Sequence, residues 1–593
     1  MGENAARPWF SFYGDIPWTV PVPEVTLYGA FAEAARRNPM LHALEYMGAK
    51  LTFAELLALI DTAAAALARG GVGKDDCVTL ALPNVPGAVI LFYAANKLGA
   101  RVAMVHPLSP PNDLEHYLRE TGSRWAVTMD MFAPKFEEIL KNTQVETLLI
   151  VRVSDYLPRY KAVLYNLAHP VALPDDARVL RWDDFMESVP YAAQDALSRI
   201  SVENAQAGAA FPEEDEEHAA GGPASEARAP AVILFSGGTT DMPKGILLSA
   251  YAFNALAVSM RATIGFMPGD SVMAILPIFH GFGLGLCVHT ALVSGGMSIL
   301  IPQFSPDNFI KSLMKQKPQY IAGVPTLFEA LLRRPDFKRV RFDKLKGAYS
   351  GGDTLGFEIK QKFDAALRAQ GSRVDLLEGY GTTECVTACV LTPVSHYRKD
   401  SIGVPMPGVE TCIVREDGNS PLPPGEEGEI CVAGPQLMLG YLGAPEETRR
   451  TLRVHEDGKL WLHTGDAGMM DEDGFLYFRS RIKRIIKVSG MSVYPAQVER
   501  VLEAHPAVWR ACVVGVPDDY QMMSVKAFVV LHDRSGGSEE LVQQLLAHCA
   551  ASLIKWSVPR SLEFKAELPT TLVGKVAYNL LKKKGGDDAV YSE

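Results

Sequence analysis

Cysteine is scarce in this sequence, with eight residues among 593. No Cys-x-x-Cys pair occurs, and no spacing of cysteine and histidine typical of a zinc site is present. Cys385 and Cys389 lie four residues apart, on one face of a predicted helix, but they lack a second ligand pair. We therefore expect neither a disulfide-bonded secreted protein nor a zinc site, and we expect a cytoplasmic location.

An excess of basic residues is also lacking. The chain has 58 lysines and arginines against 69 aspartates and glutamates, which gives a net charge of −11. A protein that binds nucleic acid by neutralising phosphates needs the opposite balance. The charge therefore argues against a nucleic-acid partner and against a polybasic membrane anchor.

Uninterrupted apolar runs are absent. The most apolar stretch, residues 284–301, is broken by glycines, serines and a histidine, so we expect a buried α/β segment and no transmembrane segment. The first residues lack the basic and apolar pattern of a signal peptide and the hydroxyl residue of a myristoylation signal. We expect neither kind of targeting.

The residues that are present predict a large α/β protein. Hydrophobic residues make up 48% of the chain and charged residues 21%, a composition typical of globular proteins. Helical patterns at residues 53–68 and 88–98 alternate with strand patterns at 77–82 and 101–105. This alternation predicts helices packed on a mostly parallel sheet.

Two breaks in composition divide the chain. Residues 205–229 are acidic and rich in alanine and glycine, with little apolar content, which predicts a flexible solvated insert. Near residue 481 the composition changes again, and about a hundred residues follow, a usual domain size. We therefore expect a separate C-terminal domain.

The strongest local motif is SGGTTDMPKG at residues 236–245, directly after a buried-strand pattern. Its glycines allow backbone amides to turn toward an anion, its hydroxyls add donors, and Lys244 adds a positive charge. The motif therefore suits a triphosphate, although it is not a Walker loop. By itself it is equally consistent with a flexible hairpin.

Four further motifs follow in order: EGYGTTE at 378–384, HTGD at 463–466, RIK at 481–483 and GK at 574–575. Together the five motifs resemble those of the adenylate-forming superfamily, which contains acyl-CoA synthetases, adenylation domains and luciferases. The resemblance extends from about residue 27 to residue 583. It implies a large N-terminal domain of helix-covered sheets with a small β-subdomain (1–480), a hinge (481–484) and a small mobile α+β lid domain (485–593).

The resemblance also implies where ATP binds. Tyr380 is expected to stack on adenine, Thr382 or Thr383 to donate to the α-phosphate, and Asp466 to accept hydrogen bonds from the ribose hydroxyls. The full set of implied ATP contacts is Ser236, Gly238, Thr239, Thr240, Lys244, Gly352, Asp353, Thr354, Gly379, Tyr380, Gly381, Thr382, Thr383, Asp466 and Arg481. Taken alone, the 351–355 segment could be a plain turn, and Asp466 a turn aspartate.

Catalytic and metal-binding roles follow from the same resemblance. Lys575 is expected to bridge the substrate carboxylate and the α-phosphate, where charge develops in the transition state. Glu384 and Thr239 are expected to hold Mg²⁺ through hard oxygen ligands. His280, in the segment LPIFHGFG, is expected to flank the bound carboxylate, although a single histidine on an apolar segment is more often a core residue.

The C-terminal residues carry the implied domain movement. Lys483 occupies the hinge position, and Lys487 and Gly490 match the segment that turns toward the site to meet the pantetheine arm of coenzyme A. Three departures from the family pattern are Asp241, Arg484 and the pair Met522-Met523. The sequence alone does not explain their effects.

The predicted function is an AMP-forming carboxylic acid–CoA ligase. Mg·ATP and the acid give an acyl-adenylate and pyrophosphate, and coenzyme A then gives the thioester and AMP. The motif wording favours a medium- or long-chain fatty acid, with an aryl or cyclic, bile-type acid as the alternative. We also expect peripheral contact with the lipid substrate.

Two other functions remain open at this point. An enzyme that loads an acyl-carrier protein would use the same motifs, with the carrier as a separate partner. A catalytically weakened acyl- or nucleotide-binding protein would fit the departures at Asp241 and Met522-Met523. The presence of Lys575, Glu384 and Asp466 argues against the second of these.

Overall fold

The structure is a computed structural model of the 593-residue chain. It describes residues 7–157, 159–169, 173–188, 226–235, 243–302, 305–415, 418–489, 491–518, 522–533, 537–570 and 576–585. The chain divides into two compact units. Unit 1 comprises residues 1–236, 244–410 and 433–452, and unit 2 comprises residues 237–243, 411–432 and 453–593.

The elements are numbered in chain order. The strands are β1 (His42–Tyr46), β2 (Ala49–Thr52), β3 (Cys77–Ala81), β4 (Arg101–Met104), β5 (Trp125–Met129), β6 (Thr147–Val151), β7 (Val179–Arg181), β8 (Pro230–Phe235), β9 (Gly245–Ser249), β10 (Ser271–Ala274), β11 (Met297–Leu300), β12 (Tyr320–Gly323), β13 (Gly347–Ser350), β14 (Leu376–Tyr380), β15 (Val390–Leu391), β16 (Val404–Pro405), β17 (Glu410–Val414), β18 (Glu427–Ala433), β19 (Gly440–Tyr441), β20 (Leu452–Val454), β21 (Leu460–Met470), β22 (Leu476–Arg481), β23 (Ile486–Val488), β24 (Met491–Val493), β25 (Val508–Asp518), β26 (Met522–Leu531) and β27 (Ser561–Phe564).

The α-helices are α1 (Leu27–Arg37), α2 (Phe53–Arg69), α3 (Pro86–Lys97), α4 (Pro111–Thr121), α5 (Phe136–Asn142), α6 (Arg159–Ala168), α7 (Trp182–Glu187), α8 (Ala250–Ile264), α9 (Ala291–Val293), α10 (Pro306–Gln316), α11 (Pro325–Leu332), α12 (Phe357–Ala369), α13 (Pro445–Thr451), α14 (Pro495–Glu503), α15 (Glu539–Ser552) and α16 (Tyr578–Gly585). A π-helix covers Phe282–Thr290. Short 3₁₀ turns cover Pro8–Phe12, Asp130–Lys135, Val153–Tyr156, Glu226–Arg228, Pro335–Arg339, Thr383–Cys385, Ile482–Arg484 and Lys555–Ser557.

Unit 1 contains two large sheets. The first has the order β16-β15-β14-β13-β12-β10-β11-β1-β2, and its strands from β1 to β14 along this order pair in parallel. The second has the order β19-β9-β8-β4-β3-β5-β6-β7 and is also mainly parallel. The predicted α/β class is confirmed.

The predicted elements at the start of the chain are confirmed within a residue or two. The pattern at 53–68 forms α2, whose Thr52 and Glu55 make a reciprocal capping box at its first turn. The pattern at 77–82 forms β3, which is buried along its whole length, as strands covered on both faces are. The stretch 284–301 forms part of the π-helix, then α9 and β11, and is almost entirely buried.

No helix in the described part of the chain is long and apolar enough to cross a membrane.

Unit 2 is built from smaller sheets. Strands β17, β18, β21 and β20 lie in this order, and β22 extends the sheet by pairing with β21. The predicted hairpin at Asp473-Gly474 is the turn that joins β21 to β22. Beyond it lie the β23-β24 hairpin and the sheet β25-β26-β27, whose apolar face packs with α14 and α15.

The predicted bounds at 1–480, 481–484 and 485–593 stay a prediction. Most of the predicted acidic insert, residues 205–225, lies outside the described residues. Its last residues are held in place, because Ala227 is buried and Arg228 pairs with Glu24 at 2.6 Å. The guanidinium of Arg228 also lies 3.9 Å from the ring centre of Tyr251.

Candidate active site

The candidate site in unit 1 lies where parallel strands β13 and β14 end. These strands pair with Ser350 opposite Glu378, so the segments that follow them leave the sheet at the same edge. A Cβ on Gly351 would lie 3.1 Å from the carbonyl oxygen of Gly379, and Leu355 N donates to Glu378 Oε1 at 3.2 Å. The two predicted ATP-binding segments are therefore in contact.

The predicted residues Gly352, Asp353 and Thr354 form an exposed turn at this edge. Gly352 has a φ of +79°, a conformation that side chains with a Cβ rarely adopt. The amide of Thr354 donates to Asp353 Oδ1 at 2.9 Å, which gives the turn an internal bond. The turn can therefore keep its shape while its polar groups face outward.

The second segment is a tight turn, residues 380–387, which we call the Glu384 turn. A Cβ on Gly381 would lie 2.1 Å from the carbonyl oxygen of Thr387, so only glycine fits there. The turn is closed by Thr387 N, which donates to the Thr382 carbonyl at 2.8 Å. Val386 and Thr387 have φ angles of +52° and +86°, a strained conformation for β-branched residues that proteins keep mainly at functional sites.

The predicted helix through Cys385 and Cys389 is wrong. Only one 3₁₀ turn forms, and the left-handed Val386 ends it at once. Both thiols instead donate to carbonyls of the turn, Cys385 to Thr382 at 3.4 Å and Cys389 to Tyr380 at 3.6 Å. A hydrogen bond with the Cys389 thiol lowers the pKa of Cys385, while burial opposes that shift.

Glu384 is half-buried and held by a residue that the sequence analysis missed. The hydroxyl of Tyr441 donates to Glu384 Oε1 at 2.9 Å, and the amide of Met438 donates to the Glu384 carbonyl at 2.7 Å. Burial, followed by the nearby charge of Glu384, raises the pKa of Tyr441 well above its ordinary value. Tyr441 therefore stays a neutral donor that orients the carboxylate.

Lys244 reaches the same neighbourhood. It lies directly before β9, which pairs with the β19 strand that carries Tyr441. Its ammonium forms an ion pair with Glu447 of α13 and lies 5.8 Å from the ring centre of Tyr441. Tyr441 thus lies next to both the predicted phosphate-binding lysine and the predicted metal ligand Glu384.

The rest of the predicted phosphate loop lies outside the described residues, including Ser236, Gly238, Thr239, Thr240 and Asp241. Its two ends are described, because β8 and β9 pair with Phe235 opposite Gly245. The loop therefore connects two antiparallel strands. Its predicted contacts stay a prediction.

The residues that follow His280 lie close to both segments. A Cβ on the next residue, Gly281, would be 3.2 Å from Thr387 Cβ, and the ring of Phe282 comes within 3.1 Å of the Cβ position of Gly351. The amide of Phe282 donates to His280 Nδ1 at 3.2 Å, which places the proton of the neutral ring on Nε2. His280 is half-buried and can offer Nε2–H as a hydrogen-bond donor.

In unit 2 the HTGD motif forms a β-bulge within β21 at residues 463–466, which we call the Asp466 turn. Asp466 is buried, and the register places it opposite Arg481 of β22. Arg481 Nε lies 2.9 Å from Asp466 Oδ1, and the guanidinium also donates to the Thr464 carbonyl at 3.1 Å. The structure therefore joins Asp466, the predicted ribose acceptor, to Arg481, another predicted ATP contact.

Glu429 of β18 holds the Asp466 turn, and the sequence analysis missed it. Its Oε1 accepts a hydrogen bond from the amide of Gly465 at 2.8 Å, and its Oε2 lies 2.9 Å from His463 Nδ1. Gly465 has a φ of +69°, so the turn needs glycine. Glu429 lies 36 residues before Gly465, too far for any local motif to reveal it.

The remaining predicted C-terminal residues are only partly described. Lys483 is exposed in the 3₁₀ turn Ile482–Arg484, and Lys487 is exposed on β23. Gly490 and the catalytic candidate Lys575 lie outside the described residues. Their roles stay predictions.

The structure accounts for Arg484 and for Met523, one member of the Met522-Met523 pair. Arg484 pairs with Glu499 of α14 at 2.5 Å and lies 4.6 Å from the ring centre of Tyr578, so it joins the start of the C-terminal part to two of its helices. Met523 packs against the core of that part, and its methyl lies 3.0 Å from the Cβ position of Gly515. Both residues have structural roles.

Comparison with known proteins identifies the family. Residues 31–442 match the family described as AMP-binding enzyme, and residues 497–575 match the AMP-binding enzyme C-terminal domain. A long-chain-fatty-acid–CoA ligase of Bacillus subtilis (strain 168) is 34% identical over 586 residues, covering 97% of each chain. One from Escherichia coli O6:H1 is 33% identical over 582 residues, covering 96% of this chain and 97% of that protein.

A solved structure has the same fold. The anthranilate CoA ligase AuaEII, crystallised with anthranoyl-AMP, superposes with a TM-score of 0.77 at 24% identity, covering 97% of this chain and 99% of that one. These matches confirm the predicted superfamily, the fold class and the enzyme class, an AMP-forming acid–thiol ligase. The chain belongs to the AMP-binding enzyme family.

Proposed function

We propose that the protein is an ATP-dependent fatty acid–CoA ligase that prefers long-chain acids. The full-length likeness to long-chain-fatty-acid–CoA ligases supports this substrate class over aryl or cyclic acids. The structural observation that carries the proposal is one edge of unit 1. There the Glu384 turn meets the turn at residues 352–354 and the residues that follow His280. That edge combines a stacking surface, a carboxylate and an imidazole donor.

Residues at this edge fit Mg·ATP. Tyr380 ends β14 with a half-buried ring, which suits stacking on adenine. Glu384 uses Oε1 to accept from Tyr441, and its carboxylate is the hard oxygen ligand that Mg²⁺ prefers. When bound there, together with Thr239, Mg²⁺ would offset negative charge on the phosphates.

Lys244 would exchange partners when ATP binds. In the structure its ammonium is paired with Glu447, close to the ring of Tyr441. A phosphate oxygen is an equally suitable anion for a lysine, which binds as a point charge. We therefore assign Lys244 to the β- and γ-phosphates. Its ion pair with Glu447 would break when ATP binds.

The reaction has two steps. A carboxylate oxygen of the fatty acid attacks the α-phosphorus, the bond to pyrophosphate breaks, and acyl-AMP forms. Lys575 stabilises the charge that develops in this step, and the neutral His280 offers Nε2–H near the carboxylate. The thiol of coenzyme A then attacks the acyl carbon, its proton leaves, and AMP departs while Lys487 and Gly490 line the approach of the pantetheine arm.

The half-reactions test the proposal directly. Pyrophosphate release is measured for fatty, aryl and cyclic acids, with and without coenzyme A. Release and thioester formation are expected to be greatest with long-chain fatty acids. Preference for an aryl or cyclic acid would overturn the substrate class, and adenylation without any CoA thioester would favour a carrier-protein acceptor.

Two variants separate the steps. Lys575→Ala should lose adenylation by roughly 10²–10³-fold, the effect of removing one preorganised donor, yet still convert synthetic acyl-adenylate to thioester. Lys483→Pro should do the reverse, because a fixed φ at the hinge obstructs rotation. Equal loss of both steps in folded Lys575→Ala would overturn the assigned roles.

We further propose that helix α6 contacts the membrane or micelle that supplies the substrate. Four of its side chains, spaced i, i+3, i+4 and i+7, are mostly exposed: Tyr160, Val163, Leu164 and Leu167. The helix contains two basic residues and no acidic residue, in a chain whose net charge is −11. An apolar stripe beside basic residues is the pattern of a helix that lies in a lipid interface.

Sedimentation with anionic phospholipid vesicles tests this contact. The double variant Leu164→Gln/Leu167→Gln should bind vesicles less than the unaltered protein while keeping its activity on a short, water-soluble acid. Val394→Gln, which changes a single exposed apolar residue elsewhere in unit 1, is the matched control. Equal vesicle binding by all three proteins would overturn the contact.

A further inference from the structure

Three buried side chains with metal-binding atoms converge in the five-stranded sheet of unit 2. They are Cys431, His455 and His463, and their ligand atoms all lie within 4.8 Å of one another. The three residues have relative exposures of 0%, 6% and 6%. The cluster is made of sulfur and imidazole nitrogen, a donor set distinct from the oxygens at Glu384.

The sheet itself brings the cluster together. Strands β18 and β21 pair with Cys431 directly opposite His463, so these side chains share one face. His455 lies in the turn between β20 and β21. Its amide donates to the Lys459 carbonyl at 3.1 Å, which closes the turn. Its ring stacks on Trp461 with centroids 5.1 Å apart and planes 16° apart, which holds the imidazole in place.

The two imidazoles point at each other. His455 Nε2 and His463 Nε2 lie 3.0 Å apart. Glu429 Oε2, 2.9 Å from His463 Nδ1, holds a proton on that nitrogen, so Nε2 of the neutral ring presents its lone pair to the cluster. A carboxylate behind a histidine is the usual outer partner of a metal ligand, because it sets the tautomer and raises the basicity of the ligating nitrogen.

The ring of His455 is fixed by a hydrogen bond at only one of its two nitrogens, Nε2, which faces His463. Within the described part of the chain, the Nδ1 of His455 is buried without a hydrogen-bond partner. His289 in unit 1 is fully buried, and both of its ring nitrogens are paired, with Tyr93 at 3.0 Å and Asn254 at 3.1 Å. Hydrogen bonding alone therefore explains His289 but leaves His455 incompletely satisfied.

A fourth donor lies beside the cluster. Cys412 is buried on β17, the strand next to β18, and lies near Cys431 but outside the 4.8 Å group, so its thiol would have to turn toward the cluster to bind the same metal. Two cysteines and two histidines form one of the common closed sites for structural zinc. The local spacing gave no sign of this set, because the ligands come from β17, β18, β21 and a turn.

We propose that Cys431, His455 and His463, with Cys412 as the fourth ligand, form a structural site for Zn²⁺ or a similar soft divalent transition metal. Thiolate and imidazole ligands favour such ions, whereas Mg²⁺ and Ca²⁺ prefer oxygen. The burial of all four residues leaves no open position for a substrate, so the metal stabilises the sheet. This site is independent of the Mg²⁺ assigned to Glu384.

Cobalt supplies a direct test. The full-length protein is treated with a chelator and a reducing agent and is then titrated with Co²⁺ in the absence of nucleotide. One Co²⁺ per chain should bind and give both a thiolate-to-cobalt charge-transfer band and the visible bands of tetrahedral cobalt. Zn²⁺ should remove these bands and raise the thermal midpoint; absence of a charge-transfer band would overturn the proposal.

Variants assign the ligands. Cys431→Ser and His455→Gln should lose both the cobalt bands and the stabilisation by Zn²⁺, whereas Cys549→Ser, which changes a buried cysteine of α15, should keep both. Glu429→Gln should bind cobalt about 10–100-fold more weakly, the usual cost of losing an outer partner. Two variants are used so that His455→Gln decides the question if Cys431→Ser does not fold.

Two other outcomes count against the site. Unchanged bands in His455→Gln would place the cobalt elsewhere. A disulfide between Cys412 and Cys431 in protein purified without a reducing agent, with no metal uptake after reduction, would make the pair a redox couple and not a ligand pair. Elemental analysis of protein produced in zinc-supplemented medium distinguishes these outcomes from the proposed one.

Discussion

The Glu384 turn and the Asp466 turn carry similar functional predictions but are held by different means. The first is closed by its own backbone, with Gly381 and the left-handed Val386 and Thr387 setting its path. The second is held from outside, by the Glu429 carboxylate on a neighbouring strand. The backbone of one turn is strained, whereas that of the other depends on a buried charge.

This difference shows when a short motif is enough to predict a turn and the groups that hold it. The seven residues at 378–384 already contain the strand end, the glycines and the carboxylate of the first turn, so the local sequence describes most of it. The four residues at 463–466 contain only half of the second turn, because the group that fixes it lies on another strand. The variants below test whether the two turns respond as this contrast requires.

The largest effect is expected from Glu384→Gln. Removing the charge of the proposed metal ligand should lower adenylation by roughly 10²–10³-fold, the scale of losing one preorganised electrostatic group. Tyr441→Phe is the matched control, because it removes only the hydrogen bond at 2.9 Å and keeps the carboxylate. Its loss in pyrophosphate exchange should be much smaller, and equal losses in the two variants would contradict the assignment of Glu384.

The second turn should respond to both of its carboxylates. Asp466→Ala should raise the KM for ATP and lower turnover, because the ribose hydroxyls lose a charged acceptor worth roughly 1.5–3 kcal/mol. Glu429→Gln should shift the same parameters in the same direction but less, since it weakens the support of Gly465 and His463 but keeps the Asp466 carboxylate. Steady-state kinetics at varied ATP concentration measure the effects of both variants. Normal ATP kinetics in Asp466→Ala would show that the nucleotide does not bind at this turn.

Unfolding at acid pH tests the helix that packs against the Glu384 turn. The π-helix Phe282–Thr290 packs on the first turn, since a Cβ on Gly285 would lie 3.3 Å from Val386. Burial lowers the pKa of His289 in that helix to about 3, below its ordinary value of 6.5. The unfolded chain therefore binds a proton that the folded chain excludes, so stability falls as the pH falls from about 6.5 toward 3.

By pH 5 this histidine should cost about 2 kcal/mol of the free energy of unfolding, since one pKa unit corresponds to about 1.4 kcal/mol. Urea unfolding at pH 7, 6 and 5 measures the loss. His289→Gln should flatten the dependence over that range, whatever its stability at pH 7. The same slope in both proteins would mean that His289 does not carry the acid sensitivity.

The smallest effect is expected from deleting residues 205–225. The segment contains few apolar residues to bury. Its removal should leave activity unchanged and should shift the thermal midpoint by no more than about 2 °C. The deletion stops at 225 because Ala227 and Arg228 are held in unit 1. Extending it to 229 should cost more, and an equal effect of both deletions would show that this anchor contributes nothing.

Much of the fold follows from local sequence. Helix α2 and strands β3 and β4 match their predicted bounds closely, because burial on parallel sheets leaves a clear hydrophobic pattern. The helix predicted through Cys385 and Cys389 is wrong, because spacing by four indicates a helix only where the backbone stays right-handed. Val386 does not stay right-handed, and no residue preference predicts a positive φ for valine.

The candidate site was predictable where its residues are contiguous. Tyr380 and Glu384 lie together because one strand end carries both, and the parallel register then places Gly352 beside them. Tyr441 and Glu429 were missed, because each reaches its partner through the fold, across more than thirty residues of sequence. A single sequence contains no record of such pairings, so these contacts required the fold.

The ion pair between Lys244 and Glu447 has a consequence for how ATP binds. If Lys244 binds the phosphates as proposed, a phosphate oxygen replaces Glu447 as its partner, so one ion pair is exchanged for another at this lysine. Affinity should then depend only weakly on ionic strength at this position, since salt weakens the old pair and the new one alike. Glu447→Gln would convert this exchange into the formation of a new pair, and the KM for ATP would become more sensitive to salt.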